Sequence, residues 1–178
     1  MQTLMDAPRV EQTIRHLVER LLADPTLRST PDAPLALVGI RSRGELLAQR
    51  IAAQLAARNA GPLDVGALDI TMYRDDLDSR RSILIPQGTD MNFRLDGRPV
   101  VLIDDVMETG RTIRAALDAL VDFGRPRFIR LAVLVDRQRH EFPIAADYAG
   151  LTIADADPRQ RVIVTLQPTD PQDAVYLK

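Results

Sequence analysis

Short apolar runs alternate with amphipathic stretches along most of the chain, and this alternation limits the possible folds more than any other feature. Apolar runs typical of buried strands lie at residues 35–38, 65–73, 100–103, 128–135 and 162–166. Apolar residues at helical spacing predict helices over residues 10–22, 44–58 and 111–123. Helices between strands favour an α/β fold with a mainly parallel sheet. Such sheets bind ligands beyond the carboxyl ends of their strands.

Composition excludes several kinds of site. The 178 residues suit one domain, so we expect residues 1–178 to form a single domain. Cysteine is absent and the histidines are His16 and His140 alone, which argues against disulfides, thiolate metal sites and a histidine-rich metal site.

The net charge of −2 gives the whole molecule no attraction to nucleic acid or membranes. Without a long apolar span or a signal-peptide pattern in residues 1–9, we expect a cytoplasmic protein with no membrane contact.

Two adjacent acids follow the strongest predicted strand. Asp104 and Asp105 come directly after residues 100–103, and a loop rich in hydroxyl groups and glycine then opens a helix. Exposed N–H groups at a helix start favour an anion, to which threonine hydroxyls can also donate. The acids suit the vicinal hydroxyls of a sugar or a hydrated magnesium ion. Acids for a sugar beside a cradle for its phosphate predict a ribose-5-phosphate site.

The segment 100–112 resembles the motif with which type I phosphoribosyltransferases bind 5-phosphoribosyl-1-pyrophosphate (PRPP). Residues 37–44, 68–76 and 134–137 resemble the PyrR branch of that family, whose members are pyrimidine operon regulators and uracil phosphoribosyltransferases. The resemblance covers most of residues 10–150 and fades toward the carboxyl terminus. It implies an α/β fold of the type I phosphoribosyltransferase kind, with a mainly parallel central sheet flanked by helices and a small hood region.

The resemblance implies roles for the residues around the acid pair. Asp104 and Asp105 would be catalytic and would take the ribose hydroxyls, directly or through Mg²⁺. The loop that holds the 5-phosphate and the nucleotide would comprise Val106, Met107, Glu108, Thr109, Gly110, Arg111 and Thr112.

Three further segments also receive roles from the resemblance. The turn that holds pyrophosphate would comprise Ile40, Arg41, Ser42 and Arg43, with Arg41 as a catalytic candidate. Tyr73 and Arg74, also catalytic candidates, would begin a flexible loop that closes over the reacting centre. The hood residues beside the base would be Val135, Asp136 and Arg137.

The implied reaction converts PRPP and uracil to UMP and pyrophosphate with Mg²⁺ as cofactor. The resemblance also implies a homo-oligomer, a dimer or larger, and binding to the 5′ leader of pyrimidine biosynthetic mRNA. Basic candidates for an RNA-binding face are Arg15, His16, Arg20, Arg137, Arg139 and His140.

Departures from the branch pattern leave alternatives open. Glu108 stands where the branch usually has tyrosine, and purine phosphoribosyltransferases often carry there an aspartate that resembles a general base. A hypoxanthine or guanine enzyme therefore remains an alternative. Ala145 and Leu151 stand where the branch usually has basic residues that meet RNA. The chain could thus be an enzyme alone, and a regulator with little catalysis is also open.

Overall fold

The computed structural model describes residues 1–73, 88–154, 157 and 159–178. In order along the chain, its strands and α-helices are β1 (Gln2–Met5), α1 (Ala7–Ala23), β2 (Leu35–Ile40), α2 (Arg43–Ala56), β3 (Leu63–Leu68), β4 (Pro99–Met107), α3 (Arg111–Leu120), β5 (Phe128–Asp136), β6 (Tyr148–Thr152), β7 (Val162–Thr165) and β8 (Ala174–Leu177). The three predicted helices are confirmed to within a few residues at each end.

Five strands form a fully parallel sheet in the order β3-β2-β4-β5-β6. Its central strand, β4, alternates between two cores: Val101 and Ile103 join the core that α1 and α2 cover, whereas Val100 and Leu102 join the core that α3 covers. Burial on both faces explains why residues 99–103 of the strand are continuously apolar. The expected α/β architecture with a parallel sheet flanked by helices is confirmed.

A second, antiparallel sheet joins the two ends of the chain in the order β1-β8-β7. It buries Met5, Val164 and Val175 in the core that α1 and α2 also share. Because β7 contacts β4, the small sheet lies next to the central strand. Of its strands, only β7 had been predicted.

The strand predicted over residues 65–73 is shorter than expected and ends at Leu68. The carboxylate of Asp69 accepts hydrogen bonds from the N–H groups of Thr71 and Gly88, at 2.8 and 2.9 Å. The N–H of Tyr73 then donates to the carbonyl of Ile70, which closes a 3₁₀ turn. Here the backbone N–H groups donate to the Asp69 carboxylate instead of to a neighbouring strand, so the strand ends.

Within the described residues, every helix is too short or too polar to span a membrane.

Candidate active site

Asp104 and Asp105 lie near the carboxyl end of β4, inside the strand rather than after it, because β4 continues to Met107. Only 5% of Asp104 is exposed. The N–H of Asp105 donates to Oδ1 of Asp104 at 2.9 Å, and the N–H of Val106 donates to Oδ1 of Asp105 at the same distance. Each carboxylate is thus fixed by the backbone of the residue that follows it.

Burial raises the pKa of the Asp105 carboxyl above its usual range, against the opposing effects of a hydrogen bond with Asp104, the Val106 N–H and the charge of Arg43. A buried carboxylate of this kind suits a cation. No cluster of three metal-ligating side chains occurs in the part of the chain that the structure describes. The pair nevertheless fits Mg²⁺, which usually takes one or two carboxylates and completes its shell with water and phosphate oxygens.

Residues 106–112, called the phosphate loop after their predicted role, end β4 and open α3. Gly110 precedes the helix with φ +89°, a left-handed conformation that favours glycine. The N-cap residue Gly110 has no side chain that could cap the helix, and Oγ1 of Thr109 accepts a hydrogen bond from the N–H of Arg111 at 3.3 Å. Asp105, residues of this loop, Ile113 and Val162 of the small sheet line a cleft of about 460 Å³. The amino end of α3 therefore lies beside a cleft that can admit an anion.

The turn between β2 and α2 contains the predicted pyrophosphate residues. Ile40 ends β2, the peptide bond between Arg41 and Ser42 is cis, and Arg43 begins α2. Arg41 lies 3.5 Å from Glu45. A bidentate pair, with distances of 3.0 and 2.9 Å, joins Arg43 to Asp170 in the connection between β7 and β8.

Gly44 brings this turn against the acid pair. A Cβ atom at Gly44 would lie 2.5 Å from the carbonyl oxygen of Ile103 and 3.4 Å from Oδ1 of Asp104, so no larger residue fits without a shift. The first turn of α2 therefore contacts β4 directly beside the acids. The structure thus brings together the acid pair, the phosphate loop and the turn at residues 40–43.

Tyr73 is not brought to this centre. Its hydroxyl is hydrogen-bonded to Asp122, which follows the carboxyl end of α3, whereas the phosphate loop lies at the amino end. A helix of this length separates its ends by about 15 Å. Arg74 lies outside the described residues.

The three hood residues end β5, beside the phosphate loop. Val135 pairs with Val106 and Asp136 pairs with Met107 in the sheet, and the N–H of Arg137 donates to the carbonyl of Met107 at 2.9 Å. This placement agrees with the predicted position next to a ligand held by the loop.

The Arg137 side chain, however, is fully buried. Its guanidinium donates to the carbonyl oxygens of Gln160 and Asp157 and lies 3.3 Å from Oε1 of Glu108. Arg137 thus joins the phosphate loop to the connection before β7. The prediction that its side chain takes part in an RNA-binding face is wrong, because the guanidinium does not reach the surface.

Comparison with known proteins agrees with this geometry. The family model named "Phosphoribosyl transferase domain" matches residues 1–167. A "Bifunctional protein PyrR" of Roseiflexus sp. (strain RS-1) is 51% identical over 140 residues, which cover 79% of this chain and 76% of that protein. The protein of the same name from Bacillus mycoides (strain KBAB4) is 44% identical over 169 residues, 94% of this chain and 93% of that one.

The chain belongs to the PyrR branch of the phosphoribosyltransferase family. Solved structures agree on the fold. The hypoxanthine phosphoribosyltransferase of Trypanosoma cruzi matches 99% of this chain and 95% of its own, with a TM-score of 0.73 and 17% identity. The HGPRT-ase of Leishmania tarentolae in complex with GMP has a TM-score of 0.70 at 21% identity, over 99% and 96% of the two chains. The predicted type I phosphoribosyltransferase fold is confirmed.

Glu108, the acid at the tyrosine position of the PyrR branch, is held between two arginines. Its Oε1 accepts from Nη1 of Arg139 at 2.8 Å and lies 3.3 Å from Nη1 of Arg137. These two contacts hold the carboxylate in place. Because the carboxylate is already engaged by two arginines, it is less free to turn toward an incoming purine, so this contact favours the pyrimidine interpretation.

The remaining RNA candidates fall into two groups. Arg15 and His16 lie on the exposed face of α1, where they help to line a depression of about 440 Å³. Arg20 donates to the carbonyls of Ala149 and Asp147, at 3.1 and 2.9 Å, and so fixes α1 to β6.

Arg139 and His140, the second group, follow β5 and already have acidic partners. Arg139 pairs with Glu108, and Nε2 of His140 lies 2.9 Å from Oδ1 of Asp136. These two side chains are therefore less available to a phosphate backbone than their charge suggests.

Sequence reasoning gave no role to several partners of the site residues. Glu141 accepts two hydrogen bonds from Arg111, at 3.0 and 2.8 Å, and its N–H donates to the carbonyl of Thr109. The Phe142 ring lies 5.4 Å from the Arg111 guanidinium. No local sequence signal pointed to Glu141, or to Asp170, which is 127 residues from its partner Arg43.

Proposed function

We propose that this chain transfers the ribose-phosphate group of PRPP to uracil, forming UMP and pyrophosphate. One observation carries the proposal: the acid pair of β4 lies between the amino end of α3, whose N-cap residue is Gly110, and the arginine-containing turn at residues 40–43. PRPP has an anionic group at each end of a ribose with two free hydroxyls. A site with acids in the middle and anion-binding groups on both sides fits that molecule.

Phosphoribosyltransferases generally use Mg²⁺ with PRPP. In this chain Asp104 and Asp105 would hold the ion, together with substrate oxygens and water. When bound, Mg²⁺ would neutralise charge on the departing pyrophosphate.

The chain's own residues would orient the substrate and stabilise charge. The N–H groups at the start of α3, with the hydroxyls of Thr109 and Thr112, would hold the 5-phosphate. Positive charge develops on the sugar as the bond from C1 to pyrophosphate breaks, and the nearby Asp105 carboxylate would stabilise it. Arg41 and Arg43 would bind the leaving anion.

The base would lie against the backbone of Val135, Asp136 and Arg137, next to the phosphate loop. Uracil is favoured over purines because Glu108 is engaged by two arginines. We further propose that the chain is a single-domain, cytoplasmic homo-oligomer that also regulates pyrimidine genes through the 5′ leader of their mRNA. This second role is supported by the PyrR relatives, which are named bifunctional.

Substitution of the acids tests the site. With uracil, PRPP and Mg²⁺, Asp104→Asn and Asp105→Asn should each lower kcat/KM for UMP formation by at least about 100-fold, or about 2.7 kcal/mol. Asp118→Asn, on the exposed face of α3, is the control and should leave kcat/KM unchanged. Near wild-type activity in both acid variants would contradict the proposed site.

A further inference from the structure

Two similar ion pairs join α2 to the connection between β7 and β8. Arg43 binds both carboxylate oxygens of Asp170, at 3.0 and 2.9 Å, and Arg50 binds both oxygens of Asp173, one of them at 2.9 Å. Both pairs are partly buried: side-chain exposure is 32% and 15% in the first and 25% and 13% in the second. Arg50 lies two helical turns, about 10 Å, beyond Arg43. Only the first pair adjoins the catalytic turn.

Asp170 holds one edge of the Arg43 guanidinium and leaves another free. The hydrogen bonds come from Nε and Nη2, and among the described residues Nη1 of Arg43 makes none. Asp170 is itself fixed, because its Oδ2 also accepts from the N–H of Leu166 at 2.8 Å. The flexible arginine side chain is therefore held at the start of α2 with donors to spare.

Arg43 begins α2, and the next residue, Gly44, packs so closely on β4 that a Cβ atom there would lie 3.4 Å from Oδ1 of Asp104. Arg43 thus lies between a fixed acceptor in the carboxyl-terminal segment and the centre where pyrophosphate would leave. A guanidinium fixed along one edge loses less conformational entropy when the other edge binds an anion.

We propose that Asp170 is a positioning residue for pyrophosphate transfer: it holds the Nε–Nη2 edge of Arg43 so that Nη1 faces the pyrophosphate group of PRPP. This inference rests on the proposed function, since it assigns the residues at 40–43 to that group. It gives the carboxyl-terminal segment, where the family resemblance fades, a part in the site.

Affinity for inorganic pyrophosphate in the presence of Mg²⁺, measured by calorimetry, tests the inference without any base. Asp170→Asn should raise the Kd for pyrophosphate by about tenfold or more, because the loosened Arg43 must be ordered on binding. A purely Coulombic role predicts the opposite, since removal of a negative charge near an anion tightens its binding. The sign of the change therefore separates positioning from simple electrostatics.

Asp173→Asn is the matched control, because it breaks the same kind of pair on the same helix away from the turn. Its Kd for pyrophosphate should stay within about twofold of the wild-type value, although both variants lose thermal stability. In an Arg43→Ala background, Asp170→Asn should no longer change the affinity, as expected of two residues that act together. UMP, which has no pyrophosphate group, should bind both single variants as it binds the wild type.

Unchanged or tighter pyrophosphate binding by Asp170→Asn would overturn the inference and leave the uracil reaction standing. An equal loss of pyrophosphate affinity in Asp170→Asn and Asp173→Asn would overturn the inference too. So would a loss of UMP affinity in Asp170→Asn as large as its loss of pyrophosphate affinity. In either case the Arg43–Asp170 pair would only stabilise the fold. If the wild type bound no pyrophosphate, the inference would fail. If it bound pyrophosphate as described but did not convert uracil, the inference would stand and the uracil assignment would fail.

Discussion

At the scale of single residues, Asp105 combines its proposed catalytic role with a cost to stability. Burial raises its pKa above the ordinary 3.8, so the folded chain holds this proton more tightly than the unfolded chain. Ionisation of Asp105 therefore lowers the free energy of unfolding. This loss is absent at pH values below the pKa of the carboxyl in the unfolded chain. It grows as the pH rises from about 4 through the higher pKa of the folded chain, and is then constant.

Asp105→Asn should therefore be more stable than the wild type at pH 7, while the difference shrinks toward pH 4. Urea unfolding at the two pH values measures it. Asp173→Asn is the control, and it should be less stable than the wild type at pH 7. The hydrogen bond from Arg50 lowers the pKa of Asp173, so the ionised carboxylate stabilises the fold. An Asp105→Asn protein that is less stable than the wild type at pH 7 would contradict the burial argument.

Glu108 lies in the same cleft but has a different role from the acid pair. We expect Glu108→Gln to leave uracil turnover nearly intact, because two arginines already engage the carboxylate. The fully buried Arg137 would lose its acidic partner, which should cost about 1–3 kcal/mol of unfolding free energy.

Steady-state kinetics and urea unfolding of the same preparation separate these two effects. Arg139→Gln is the control, since it removes the more exposed of the two arginine contacts and should cost less stability. A large loss of kcat that follows protonation at low pH in the wild type and disappears in Glu108→Gln would instead identify Glu108 as a base.

At the scale of elements, the phosphate loop depends on the left-handed conformation of Gly110. Gly110→Ala should cost about 1–2 kcal/mol through backbone strain alone, because the new Cβ would lie 3.5 Å from the nearest atom, in Phe142, an ordinary contact. Relief of the strain should shift the N–H groups at the start of α3 and weaken UMP binding.

Gly97→Ala is the matched control for this loop. Gly97 has φ +69° in the turn before β4, and an added Cβ there would meet no atom within 4 Å. The substitution should cost similar stability without changing UMP affinity, as calorimetry can measure. Wild-type UMP affinity in Gly110→Ala would show that the phosphate does not bind at this loop.

The elements that local patterns identify are those with strong periodicity. Helix α1 has its apolar residues at helical spacing, and residues 100–103 of β4 are a continuous apolar run, so both elements could be predicted. β1, β6 and β8 have only four or five residues each and are partly exposed, and they become strands through pairing with distant segments. Local sequence could not supply that information.

The same limit applies to the site. The acid pair and the phosphate loop are contiguous in sequence and follow a strong strand, so their proximity could be predicted. The burial of Arg137 and the pairing of Arg43 with Asp170 depend on where the carboxyl-terminal segment returns to the sheet. Side chains that meet across more than 20 residues leave no periodic signal.

At the scale of the whole molecule, the net charge of −2 means that RNA must be attracted by a local basic face. Arg15 and His16 remain on such a face, while Arg137 is buried and Arg139 is paired with Glu108. Since log affinity falls by about 0.7 per log of salt for each phosphate neutralised on a single strand, few contacts predict a shallow salt dependence and low affinity.

Titration with the 5′ leader of a pyrimidine biosynthetic transcript, with and without UMP at two salt concentrations, measures this. Arg15→Gln should weaken binding further, and Arg28→Gln, an exposed charge beyond the carboxyl end of α1, is the control. Nanomolar, UMP-enhanced binding at physiological salt would contradict the expectation.

The identity of the base is the central claim, and a direct competition tests it. The chain is incubated with PRPP, Mg²⁺ and each of uracil, hypoxanthine, guanine and xanthine, and pyrophosphate release and nucleotide formation are followed together. We predict that uracil supports turnover to UMP, that the purines give little or none, and that Asp105→Asn lowers kcat/KM for uracil by at least about 100-fold. Turnover of hypoxanthine or guanine with none of uracil would contradict the account.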